Sequence, residues 1–173
     1  DYPNFYITAN TNWNAVCNTG MGIAALALMD VNPEMYSDLL EKTLVSYEAM
    51  MKEFYPDGAW FESVAYLSYL TQFIGFYVTA LNTVYKTDFN ISKAPGFDKS
   101  GNFYISMDGM TGYNNYHDSS NPSHLVSPYM YFFTKTFNQP ELTALTMYKY
   151  DTYIKGEKGT YMKTSGDFDD VAM

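Results

Sequence analysis

Three amide side chains and an indole crowd into residues 12–20, NWNAVCNTG, at the start of a run whose later residues are apolar or small. Asn12, Asn14 and Asn18 can each donate and accept hydrogen bonds, and a buried amide left without partners costs about 1–3 kcal/mol. Protein groups or a polar, oxygen-rich ligand must therefore satisfy them. Two further clusters could share that chemistry. Residues 57–69, DGAWFESVAYLSY, hold Asp57, Trp60, Glu62, Tyr66 and Tyr69, and residues 114–119, NNYHDS, hold Tyr116, His117 and Asp118.

Ordinary structural roles compete for the same residues. Asn is a favoured N-cap, so Asn12 or Asn14 can cap a helix and still meet a ligand. Tyr66, followed by Tyr69, Phe73 and Tyr77, also fits a core or groove lining, and His117 beside Asp118 fits a surface loop as well as a base. Trp13 and Trp60 can stack on a sugar ring or fill a core. A zinc ion held by His117, Asp118 and His124 is a further reading, although that spacing matches no strong metal motif. The single cysteine, Cys17, excludes an internal disulfide and a cysteine-based zinc cage, and its apolar neighbours make it an inert buried thiol.

The elements that must position these groups are helical. Apolar residues make up 47% of the 173 and charged ones 17%, enough for a core and far from a disordered composition. That length fits one domain or a piece of a larger one. The chain starts at Asp1 with neither Met nor a signal peptide, as a processed or excised piece does. The aromatic fraction of 18% exceeds what a core requires, and tyrosine suits surfaces that need an apolar body with a polar tip, as sugar clefts do. A formal charge of −9 argues against nucleic acid, whose binding faces are basic. No run approaches about 18 consecutive apolar residues, so no membrane span is expected.

Helices are expected at about residues 13–29, 33–54, 62–85, 127–137 and 139–154, with a short one near 99–107. The first is apolar on all sides, which predicts an inner helix. Asn32-Pro33 reads as the N-cap and first residue of the second, whose outer face carries Asp38, Glu41, Lys42, Glu48 and Lys52. Tyr55-Pro56-Asp57-Gly58 is turn chemistry. The third repeats the buried pattern through Leu67, Leu70, Phe73, Ile74, Tyr77 and Leu81. Residues 108–124 form a long polar loop holding both histidines, a length that is usually functional or disordered. Ser127-Pro128 and Gln139-Pro140 mark the last two helix starts. Buried, amphipathic and buried helices joined by short turns suit two concentric helical layers.

Three blocks, NWNAVCNTGMGIAALAL at residues 12–28, YPDGAWFESVAYLSYLTQF at 55–73 and PGFDKSGNFYISMDGMTGYNNYHD at 95–118, resemble in order and spacing the heparinase II/III-like polysaccharide lyases. The resemblance covers most of residues 10–150. It implies an all-α fold, part of an α/α toroid with helical hairpins in two layers, which in that family precedes a β-sandwich domain; this chain is then the C-terminal part of the toroid. It also implies β-elimination at a uronic acid of an acidic glycan such as a glycosaminoglycan or alginate, in a periplasmic or secreted setting. In that chemistry an Asn or His neutralises the uronate carboxylate, a Tyr serves as proton donor or base, and a His stands opposite. Matched by position, Asn14 takes the amide role with Asn12 second, Tyr66 is the tyrosine and His117 the histidine. The substrate contacts around them are Asn12, Trp13, Asn18, Trp60, Glu62, Tyr69 and Tyr116. The reaction so implied needs no cofactor, although a structural zinc or calcium ion is compatible with the full-length protein. Many members carry Glu-Gly-Pro where this chain has Glu62-Ser63-Val64, and some carry His in place of Trp13 or Asn14. Two other functions use the same residues: a toroid glycoside hydrolase drawing a carboxylate pair about 5–10 Å apart from Asp57, Glu62 and Asp118, and a glycan-binding fragment without catalysis.

Overall fold

Asn32 does what its position before Pro33 predicts. Its side chain accepts from the Met35 N–H at 3.1 Å, and Pro33 opens the helix. In this computed structural model, which describes residues 5–109, 112–114, 116–118, 127 and 129–151, the described residues are all-α apart from one short hairpin. The helices are α1 (Phe5–Thr8), α2 (Asn12–Leu28), α3 (Pro33–Met51), α4 (Val64–Tyr85), α5 (Ser100–Ser106), α6 (Met130–Phe137) and α7 (Pro140–Lys149). Antiparallel strands β1 (Asp108–Gly109) and β2 (Gly112–Tyr113) pair Asp108 with Tyr113.

Hydrogen bonds between helices fix their directions. Asn12 meets Glu62 at one end, the Thr19 hydroxyl donates to the Phe73 carbonyl at 3.2 Å further along, and Gly22 lies against Tyr77 beyond that. α2 and α4 therefore run side by side and parallel. α3 crosses both in the opposite sense: Ser46 meets Asn14 and Asn18, while Thr43 donates to the Leu40 carbonyl and accepts from the Tyr77 hydroxyl at 2.5 Å. Tyr47, Met50, Leu67, Leu70, Ile74, Tyr77 and Leu81 are buried in the core, where each large apolar side chain contributes about 1.5–3 kcal/mol. α4 is long and apolar enough to cross a bilayer by length and composition; Leu67, Leu70, Ile74, Tyr77 and Leu81 lie in this core, whereas Phe76 and Val84 are exposed.

A second apolar cluster joins the end of α3 to α6. Phe54 packs on Trp60 and Phe97 with ring centroids 5.2 and 4.7 Å apart, and Phe97 packs on Phe133 at 5.3 Å. The turn between α3 and α4 is held against the start of α5: Gly58 has φ +81°, and a Cβ there would lie 2.4 Å from the Ser100 nitrogen.

Four expectations are corrected. Residues 52–54 tighten into a 3-10 turn, so α3 stops at Met51. α4 starts at Val64 because Ser63 caps it from outside, accepting from the Tyr66 N–H at 3.3 Å. α6 starts at Met130 because the Ser127 hydroxyl accepts from Ser68 of α4 at 3.1 Å instead of capping its own chain. Finally, α2 is not buried on all sides: Trp13 is 54% and Leu28 41% exposed, and nothing lies within 4 Å of a Cβ built on Gly20.

Gly22 is different. A Cβ there would lie 2.5 Å from the Tyr77 ring, which is buried and tethered through Thr43. Gly22→Ala is therefore expected to lower stability by about 1–3 kcal/mol through overpacking, whereas Gly20→Ala, in the same helix, is expected to raise it by up to about 1 kcal/mol. Urea unfolding of the two variants checks this; equal effects would contradict the packing described.

Candidate functional site

The first N–H groups of a helix have no partners within it, and Thr11, at the N-cap of α2, supplies no side-chain bond. Glu62, fifty residues on, does so. Its Oε2 accepts from the Asn12 backbone N–H at 2.7 Å and from the Trp60 indole N–H at 2.9 Å, and the Asn12 amide donates to both carboxylate oxygens at 3.0 Å. Glu62 is 7% exposed, and among the described residues no cation pairs with it. The positive end of the α2 dipole and these N–H donors offset its charge.

Ser63, next in the chain, is buried with φ +137° and ψ 171°. Only glycine occupies that region freely, at a cost to other residues of about 1–3 kcal/mol. The strain turns the chain so that Glu62 faces α2 while Ser63 caps α4.

Asn14 and Asn18 serve the interior. The Asn14 amide donates to the Ala9 carbonyl at 2.8 Å and to the Ser46 carbonyl and hydroxyl at 3.0 Å. Asn18 donates to the Asn14 carbonyl and amide oxygens at 3.0 Å and to the Ser46 hydroxyl at 2.9 Å. Ser46 in turn donates to the Ile7 carbonyl at 2.7 Å. Both asparagines have essentially no exposed surface. Their amides tie α1 and α3 to α2, and in this arrangement Asn14 does not face a ligand. The same correction applies to Asn12, Glu62 and Trp60. The indole is fully buried beside Phe54, so it offers no stacking platform with Trp13.

Among the groups that reach solvent in these segments are Trp13, Tyr66, Tyr69 and His117. Trp13 stands exposed in the first turn of α2, with its ring 6.1 Å from that of Phe5. Tyr66, in the first turn of α4, is half-buried, and its hydroxyl bonds to no described residue and is not enclosed. Tyr69, 38% exposed, packs edge-on against Phe73. His117 lies edge-on to Phe61 with centroids 6.2 Å apart, and its Nδ1 is 2.8 Å from Asp118. The adjoining Tyr116 donates to the Trp60 carbonyl at 2.6 Å, which seats this loop on the Trp60–Phe61 segment. Burial, and then the nearby Asp57 charge, push its phenol up to about 12, so it stays neutral at ordinary pH.

Of the carboxylates offered for a hydrolase, Glu62 is buried, Asp57 accepts from the Ala59 N–H at 3.2 Å, and Asp118 is engaged with His117. The Cys17 thiol is partly exposed, with its ionisation raised by burial. His124, needed for the zinc reading, lies outside the described residues. Sequence reasoning missed Ser46 and Ser63; the only local signal was a Ser directly before an apolar run at Val64, which marks a cap.

No protein-family model matches this chain, and a comparison with curated proteins returns no match.

Ser63→Gly is expected to relieve the backbone strain while losing a few tenths of a kcal/mol of capping and about 0.4–1 kcal/mol through a freer unfolded chain. The net gain is about 1 kcal/mol, a melting temperature higher by roughly 2–4 °C. A lower melting temperature would show that the Ser63 side chain matters more than its strained backbone.

Proposed function

We propose that this chain is part of an α/α toroid of a polysaccharide lyase acting on a uronate-containing glycan, with Tyr66 and His117 as the proton-transferring pair. The observation that carries this reading is the joining of two distant polar segments at one end of parallel helices: Asn12 at the mouth of α2 is bonded to Glu62 at the mouth of α4. The loop bearing His117 is seated on the same segment through Tyr116 and Phe61. Two features support the resemblance behind it. Parallel α2 and α4 with α3 antiparallel across them suit an inner pair and an outer helix. Ser63 also adopts a glycine-like backbone where many of the lyases carry glycine.

The reaction removes the proton on the carbon next to the uronate carboxylate and expels the glycosidic oxygen, leaving a carbon–carbon double bond and a free hydroxyl. A phenol whose hydroxyl is not enclosed can deliver a proton to the leaving oxygen, and an imidazole on the other side of the sugar ring can take one. Trp13 and Tyr69 supply apolar faces for sugar rings. The enolate-like charge also needs hydrogen-bond donors. Asn14 is engaged with Ala9 and Ser46, so in this reading it positions the mouth of α2 and another donor meets the carboxylate.

Incubating the intact protein with glycosaminoglycans and alginate tests the proposal. An unsaturated product absorbing in the ultraviolet supports it, a saturated reducing end identifies a hydrolase, and binding without cleavage identifies a glycan-binding module. Tyr66→Phe is expected to lower turnover at least about 100-fold, the size of a lost acid–base group, with an unchanged melting temperature. Asn14→Ala is expected to lose mainly stability, by about 1–3 kcal/mol. Normal turnover in the Tyr66 variant would remove it from the site.

A further inference from the structure

At the other end of α4 the chain builds a second cleft, of about 680 Å³, between the last turns of α4 and α6 and the segment that follows α4. That volume lies in the range of small-molecule sites, roughly 300–1,000 Å³. Its charge is opposite to that of the chain. The protein has 19 acidic residues and only 10 basic ones, all lysine, yet Lys86, Lys93 and Lys135 line this one cleft against a single aspartate, Asp88. Both Asp88 oxygens are occupied locally, accepting from the Asn90 and Ser92 N–H groups at 3.0 and 3.1 Å, and it pairs with none of the lysines.

Elsewhere among the described residues the lysines are used. Lys42, Lys52 and Lys149 pair with Asp38, Glu48 and Asp108, and Lys99 donates to the Pro56 carbonyl. Lys86 donates to the Thr83 carbonyl at the end of α4, as a helix C-terminus favours. The Lys93 and Lys135 ammonium groups have no hydrogen bond or ion pair with any described residue. They come from separate segments, the 3-10 turn Ile91–Lys93 and the last turn of α6, so no local helix pairing explains their meeting.

We propose that this cleft binds a tetrahedral oxyanion ester, a sulfate or phosphate carried on a small hydroxyl-rich molecule. Lysine ammoniums are compact point charges with several donors each, which suit the several oxygens of such an anion. Thr79, Asn82, Thr87 and Ser92 on the same walls supply hydroxyl and amide groups for the ligand's hydroxyls, and Phe132 an apolar face.

The test is amide NMR of the intact protein titrated with glucose 6-phosphate, N-acetylglucosamine 6-sulfate, inorganic phosphate, inorganic sulfate and glucose. Saturable shifts confined to residues around 79–93 and 132–136 are expected with at least one ester, weakening as salt is raised. A preference for the sulfated or the phosphorylated sugar identifies the source of the anion. The double variant Lys93→Gln/Lys135→Gln, at two exposed side chains, is expected to bind at least about 10-fold more weakly without a change in melting temperature. No saturable shift with any oxyanion, binding of glucose as tight as that of its esters, or undiminished binding by the double variant would overturn the proposal.

Discussion

A carboxylate buried without a cation is a demanding thing for a helical protein to hold, and among the described residues Glu62 is held by N–H groups alone. The Asn12 backbone, the Asn12 amide and the Trp60 indole all point into it. Hydrogen bonds to a charged acceptor contribute about 1.5–3 kcal/mol each, and the helix end adds about 0.3–1 kcal/mol. This one side chain completes the start of α2, fixes the Trp60 indole against Phe54, and stands immediately before the cap of α4. The depth at which α2 and α4 lie beside each other therefore depends on it.

The rest of the polar interior extends that constraint down the bundle. Below Glu62 come the Asn14–Asn18–Ser46 cluster, then the paired hydroxyls of Thr19 and Tyr47, then those of Thr43 and Tyr77. Burial raises the Tyr47 and Tyr77 phenols far above the neutral range, the latter to about 12, so both remain neutral partners. Apolar packing alone would tolerate a helix sliding by a turn; these pairs would not, since each slip leaves buried donors and acceptors unmatched. The outward side of α2 has no such ties and carries Trp13 and Leu28 in the open.

Helix positions were largely legible in the sequence, because periodic apolar residues and local caps act over a few residues. Asn32-Pro33, the turn at residues 55–58 and Pro140 all behave as their chemistry dictates. The site was legible only in outline. Residue types announced that polar groups gather near residues 14 and 62, but not which way each amide points. Asn14 turns inward because the Ala9 and Ser46 acceptors exist only once α1 and α3 have packed. Trp60 is covered because Phe54, itself packed on Phe97, lies against it from elsewhere in the chain. A cap delivered from fifty residues away, and a serine in a glycine's backbone region, leave no local pattern to read.

The central claim is that the Asn12–Glu62 bond joins the two helix mouths, and a double-mutant cycle measures it most directly. Urea unfolding of Asn12→Ala, Glu62→Gln and the double variant should give a coupling energy of about 0.5–3 kcal/mol, the range found for residues sharing one hydrogen-bond network. Effects that add to within about 0.5 kcal/mol would mean that the two residues act independently, and the account of the mouth given above would be wrong.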